Sequence, residues 1–196
     1  KKGSIIQQFS TLEGLQNNNV LSIFPDKHKN LWLGLDHGID FIAYNSAIKH
    51  IFPDIYSGGA GYSSIIHNKH LYIATTNGLY QAALNENEDL SFVKGSFKLV
   101  ENTRGQVWNL SEVNGKLLVG HHEGFREVNG NKTIIHDNST GFWAFLPFYS
   151  TLPSPVMIAG TYYGIRFYNY QNGQFSKAHI DADFESARFV AVSGNS

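Results

Sequence analysis

A stretch that returns four times in one chain restricts the fold more tightly than any composition can. Residues 31–44 read LWLGLDHGIDFIAY, answered by LYIATTNGLYQAAL at 71–84, LLVGHHEGFREV at 117–128 and MIAGTYYGIRFY at 157–168. Each copy has an apolar run, a small residue, two or three turn formers, a glycine and a second alternating run. The glycines, Gly38, Gly78, Gly124 and Gly164, are spaced 40, 46 and 40 residues apart. Two strands joined by so short a loop need a positive φ near its end, which glycine adopts without steric cost. Taken alone, Asp36-His37 could be a catalytic or metal-binding pair. Four copies put Thr76-Asn77, His122-Glu123 and Tyr162-Tyr163 in the same slot, so the slot is a turn.

Further strand-like segments surround each copy. One precedes it, at 20–26, 62–68, 107–113 and 143–149, and one follows, at 47–52, 97–101, 132–137 and 174–180. Asp26 to Asn30, Asn68-Lys69 and Asn114-Gly115 supply turn chemistry between the first and second strands, while the fourth link, Thr151 to Pro155, is longer and carries proline. No segment has convincing helical periodicity. Four strands per repeat of roughly 40–50 residues is the pattern of a β-propeller blade. The expected fold is all-β, a propeller segment of about four four-stranded blades that is part of a larger propeller of the seven-bladed type. The expected layout is one segment over 1–196. Within it lie an outer strand of a preceding blade at 4–10, blades at 17–56, 58–101, 104–137 and 141–180, and the start of another at 187–196.

Composition agrees and excludes several functions. Aromatic residues make 14% of the chain, glycine numbers 19, and only 16% is charged, below the roughly 25% usual for soluble domains. That balance suits strands and tight turns. A net charge of -1 gives no basic face for direct nucleic-acid binding. The absence of cysteine excludes disulfides, thiolate catalysis and zinc–cysteine sites. No apolar run approaches the ~18 residues of a membrane span, and no signal peptide is visible. Beginning at Lys1-Lys2 without methionine, the chain reads as a processed or excised piece.

The stretch GLQNNNVLSIFPDKHKNLWLGLDHGIDFI at 14–42 resembles the two-component regulator propeller repeat. Asn18, Val20, Ile23, Asp26, Leu31, Trp32, Gly34 and Gly38 fall on its pattern, Leu33 and Leu35 depart mildly, and Ile39 replaces the usual leucine. The other three copies keep the glycine and the apolar runs but lose the paired asparagines and the tryptophan. The resemblance implies the extracytoplasmic sensor region of a membrane-anchored, Bacteroidetes-type regulator. In that family a kinase or DNA-binding part governs transcription, and many members sense oligosaccharides. For this chain it implies a periplasmic, non-enzymatic, ligand-sensing propeller that needs no cofactor. Its partner would be an oligosaccharide or other small ligand, with contact to the membrane only through flanking segments.

A ligand would meet one rim of the blades. The loops entering the first strands and the turns holding the four glycines share that rim. They offer Arg104, His122, Trp143, Tyr162, Tyr163, Asp36, His37 and Asn77 as candidate ligand-binding residues. Aromatic faces against sugar C–H patches, with amides and charged groups as hydrogen-bond partners, are the chemistry a saccharide requires. Trp32 and Trp108, inside strands, read as packing residues between blades. His121-His122-Glu123 has the composition of a metal cluster, but adjacent residues of an extended strand point to opposite faces, so no metal site is expected. No catalytic residue is assigned. A propeller lyase or glycosidase would need paired carboxylates, and this rim offers only Asp36 and Glu123. A pure protein-interaction scaffold is the other reading. An uncovered end blade makes self-association or dimerisation expected.

Overall fold

The computed structural model describes residues 5, 8–44, 48, 50–54, 58–84, 97–148 and 156–191, and every regular element among them is a β-strand. Fifteen strands form four antiparallel sheets, each a meander in which sequence neighbours pair. The first sheet is β1 (Val20–Pro25), β2 (Leu31–Leu35) and β3 (Ile39–Ile42). Its expected fourth strand, 47–52, is not formed where residues are described, at 48 and 50–52. The second is β4 (Gly61–His67), β5 (His70–Thr75), β6 (Gly78–Ala83) and β7 (Lys98–Leu99). The third is β8 (Val107–Val113), β9 (Lys116–His121), β10 (Gly124–Asn129) and β11 (Lys132–Asp137). The fourth is β12 (Phe142–Phe148), β13 (Val156–Thr161), β14 (Gly164–Gln171) and β15 (Gln174–Ala182). These are propeller blades, in the order and number the repeat predicts. The strands expected at 4–10 and at the start of 187–196 are not formed where residues are described, at 5, 8–10 and 187–191.

The chain divides into two compact units, residues 1–55 with 84–96, and residues 56–83 with 97–196. The second unit holds three consecutive blades and two apolar layers. Between the second and third sheets, Tyr72, Ala74, Leu79 and Val100 meet Val107, Leu110, Leu117 and Val119. Between the third and fourth, Val113, Leu118 and Phe125 meet Phe142, Phe145, Met157, Tyr168 and Phe175. Alternation along β9 sends Leu117 and Val119 to one neighbour and Leu118 to the other, so its sequence is apolar without a break. The small residue of the repeat has its reason here. A side chain on Gly120 would meet the Phe142 carbonyl 2.7 Å away, so the inner strand of the next blade can approach only where that position is small. Gly160 stands in the same relation to the carbonyl of Ala187, whose backbone N–H donates to Thr161.

All four repeated turn glycines take positive φ, 93° at Gly38, 144° at Gly78, 138° at Gly124 and 88° at Gly164. At Gly124 a second constraint joins the first, because an added Cβ would run into the Asp137 carbonyl as the chain leaves β11. Gly124→Ala should therefore cost about 1–3 kcal/mol through strain at positive φ, more once the backbone contact is included. Denaturant unfolding that finds the variant as stable as the parent would remove this account of the turn.

In the first unit, the alternation of β2 buries Leu33 and Leu35 with Leu15 and Ile42, while Trp32 points the other way. Trp32 is 44% exposed and packs on Phe41, with ring centroids 4.6 Å apart. This corrects the expectation that it lies buried between blades. The positions that match it in the repeat, Tyr72 and Leu118, are buried in the layers just described. Leu21, Ile23 and Phe24 on β1 are exposed too.

Candidate functional site

Each blade joins its first strand to its second-to-third turn in the same way. The backbone N–H of Asp36 donates to the Asn19 carbonyl, Thr76 to Ala60, His122 to Gln106 and Tyr162 to Gly141, at 3.0–3.1 Å. Entering loops and glycine turns thus share one rim within each blade, as the sequence predicts. Just inside that rim the first strand carries a β-bulge in all four blades. The pairing register shifts across Leu21, Tyr62, Trp108 and Trp143. A bulge inserts one residue that opposes no partner, bends the strand and re-aims a side chain.

In the second unit that repeated bulge produces an aromatic array. Tyr62 and Trp108 lie with ring centroids 4.8 Å apart, Trp108 and Trp143 at 4.7 Å, and Trp143 and Tyr162 at 4.7 Å. Such tilted contacts are favourable for ring quadrupoles. Polar atoms lock the rings in place. The Trp108 indole N–H donates to the Tyr162 hydroxyl at 2.8 Å, and the Trp143 N–H donates to Ser186 Oγ at 2.7 Å. Burial raises the Tyr162 phenol above its ordinary range, so the hydroxyl stays protonated at neutral pH. Its ring lies against Gly141, where an added Cβ would come within 2.7 Å of ring carbons. Arg188 places its guanidinium 5.1 Å from the centre of the Trp143 ring. Tyr62 keeps 41% of its surface exposed.

Of the candidates drawn from sequence, the structure brings Trp143 and Tyr162 together. It adds Tyr62, Trp108, Ser186 and Arg188, with Trp108 packed, as expected, between rings of the two flanking blades. Tyr163, next in the turn, is 65% exposed, with its backbone N–H bound to Thr161 Oγ1. Asn77 occupies the matching turn of the second blade, where its N–H donates to Thr75 Oγ1 and its side chain lies beside Gly59. Asp36 and His37 form an exposed pair, 3.5 Å apart, in the first unit. Arg104 lines a cleft of about 610 Å³ with Glu101, Asn102, Glu123 and Arg126. Burial lowers the Arg126 guanidinium from its ordinary range, partly offset by Glu123, and it also donates to the Asn102 carbonyl.

His121 and His122 depart from the expectation of opposite faces. They sit at the strand end, where the chain turns, and their rings are 4.3 Å apart. With Glu123 they place three ligand-type atoms within 4.8 Å of one another. The chemistry nevertheless points to a turn device. His121 Nδ1 accepts the Glu123 N–H at 3.0 Å, and Nε2 faces the Arg104 carbonyl at 3.0 Å, so both ring nitrogens are engaged. His122 Nδ1 accepts the Gln106 N–H. Thr75 and Thr161 fill the same position and accept from the same turn N–H through their hydroxyls. Burial first, and then the charges of Arg126 and His122, push the His121 pKa down to about 4, so the ring is neutral at pH 7.

Comparison with known proteins adds the following. Residues 14–37 match the model of the family described as two component regulator propeller. Comparison with curated proteins gives no match. Among solved structures, the chain is similar to the extracellular domain of BT4673 from B. thetaiotaomicron, described as a one component or a hybrid two component system. Identity is 18% and the TM-score 0.51, over 86% of this chain and 25% of that one. The N-terminal domain of Nup159 is also similar, with 14% identity and a TM-score of 0.44 over 82% of this chain and 41% of that one. This chain spans a quarter of the length of the BT4673 domain.

Proposed function

We propose that this propeller segment, built on a two-component regulator propeller repeat at 14–37, is part of a ligand-sensing extracytoplasmic domain. Its ligand is an oligosaccharide, bound without being altered. The observation that carries this reading is the array of Tyr62, Trp108, Trp143 and Tyr162. Three successive blades place an aromatic residue at the same bulge. Rings held by one another and by two indole hydrogen bonds are ordered before any ligand arrives, so binding costs little side-chain entropy. Aromatic faces take the C–H patches of sugar rings, and the neighbouring hydroxyls and guanidinium offer hydrogen bonds. The matched repeat and the extracellular fold neighbour support a place outside the cytoplasm, in a regulator whose anchor and output parts lie beyond this segment.

Titration calorimetry against a panel of neutral and acidic oligosaccharides tests the reading, with product analysis of the same mixtures. Trp143→Ala should weaken binding about tenfold, equivalent to ~1.4 kcal/mol, while far-UV circular dichroism stays that of the parent. Shortened products would turn the reading towards an enzyme. Affinity indifferent to both Trp143→Ala and Tyr62→Ala would place the ligand elsewhere.

A further inference from the structure

We infer that Arg188 makes the array an acidic-saccharide site, its guanidinium taking a carboxylate or sulfate group on the sugar. The inference rests on the oligosaccharide reading above and adds the ligand's charge.

The place of Arg188 in the repeat is the first support. Phe142 begins the inner strand of the fourth blade, and its carbonyl covers Gly120 of the blade before. The Ala187 carbonyl covers Gly160 in the same manner. Trp143 follows Phe142 and sits at the bulge, and Arg188 follows Ala187. Arg188 is therefore the next member of the series Tyr62, Trp108, Trp143, and its contact with the Trp143 ring continues the ring-to-ring spacing of the array. A planar guanidinium stacks on an aromatic face as a ring does, and keeps its N–H edge free for a planar anion.

Charge is the second support. Asp183 is held by Arg166 at 2.7 Å, and among the described residues no carboxylate forms an ion pair with Arg188. Its one described interaction is with the Trp143 ring. The segment is also fixed at its root, since Ala187 N–H donates to Thr161 and Ser186 Oγ accepts from Trp143. An exposed cation held against an aromatic face, with no counter-charge among the described residues, is complementary to an anion carried on a ring that stacks beside it. Bidentate pairing of guanidinium with an oxyanion gives both strength and orientation.

The test uses the chain with three size-matched probes, namely neutral galactotetraose, tetragalacturonate and a sulfated galactotetraose. At least one acidic probe should bind ten times or more tightly than the neutral one, and its affinity should fall as salt rises from 50 to 500 mM. Arg188→Gln should erase that preference, lowering the affinity of the acidic probe at least tenfold more than that of the neutral one. Arg188→Lys should restore part of it, because charge remains and the planar fork does not. Which acidic probe responds separates the carboxylate from the sulfate. Equal or better binding of the neutral probe, lost in Trp143→Ala but indifferent to Arg188→Gln, would overturn this inference and keep the oligosaccharide reading. Failure of all three probes to bind would overturn both.

Discussion

Phe125→Ala should lower the stability of the three-blade unit by about 3–5 kcal/mol, the range for removing a large aromatic from a packed core. Phe125 is fully buried, and its ring lies 4.9 Å from Phe145, 5.2 Å from Tyr168, 5.4 Å from Phe175 and 5.9 Å from Phe142. Those four rings belong to the next blade, and from the third blade His136 also lies against Phe125, with ring centroids 4.9 Å apart. Alanine would leave a cavity between two blades, lined by rings that cannot collapse into it without moving their strands. Trp32→Ala is the contrast, since its partly exposed ring has Phe41 as its one aromatic neighbour among the described residues. It should cost about 1 kcal/mol, by loss of that ring pair and of the exposed hydrogen bond from Trp32 to Asp26. Urea unfolding of both variants measures the difference. Similar losses for the two would mean that Trp32 is covered in solution and that the inter-blade layer is not centred on Phe125.

How much of this was legible follows from which signals repeat. The hairpin turns were readable because they need particular residues. Asn68-Lys69 and Asn114-Gly115 take positive φ at both positions, as does Asn172-Gly173 in the fourth blade. The sheet order was readable because an apolar run, a turn and a glycine recur in register. Burial of Trp32 was not. Period-two alternation says which residues share a face of a strand, but not whether another blade covers that face. Likewise, the His121-His122 geometry departs from alternation because the strand ends at His121, where the turn begins. The aromatic array was hidden by a different rule. Trp108 packs between blades as its place inside a strand suggests, but only the bulge aims it at the neighbouring rings near the rim. A sequence signal did exist. Aligning the four inner strands on their second residue brings Leu21, Tyr62, Trp108 and Trp143 into one column, and the ARFVAVS segment then puts Arg188 in it. Aromatics recurring at one position of a repeat, outside the apolar alternation, mark a shared direction rather than a shared core.

His121 should make the fold sensitive to mild acid. The ring is fully buried, accepts the Glu123 N–H and titrates near pH 4 instead of the ordinary 6.5. In the unfolded chain it takes a proton as pH falls through about 6.5, whereas the folded chain resists protonation until about 4. The unfolded state therefore binds more protons throughout that window, and stability falls as pH falls. A shift of this size corresponds to a loss of about 3 kcal/mol, complete once pH lies below the folded value. The sibling blades supply the control. Thr75 and Thr161 hold the same turn with a hydroxyl, so His121→Thr should rebuild the cap while removing the titrating group. The variant leaves the Arg104 carbonyl without its partner and should be somewhat less stable at pH 7.5. Its stability should nonetheless change less than the parent's between pH 7 and pH 4.5. Urea midpoints across that range, with folding checked by circular dichroism, measure both slopes. Parallel slopes for parent and variant would show that His121 is not the group that destabilises the fold in acid, and would mean that it exchanges protons with solvent in the folded state.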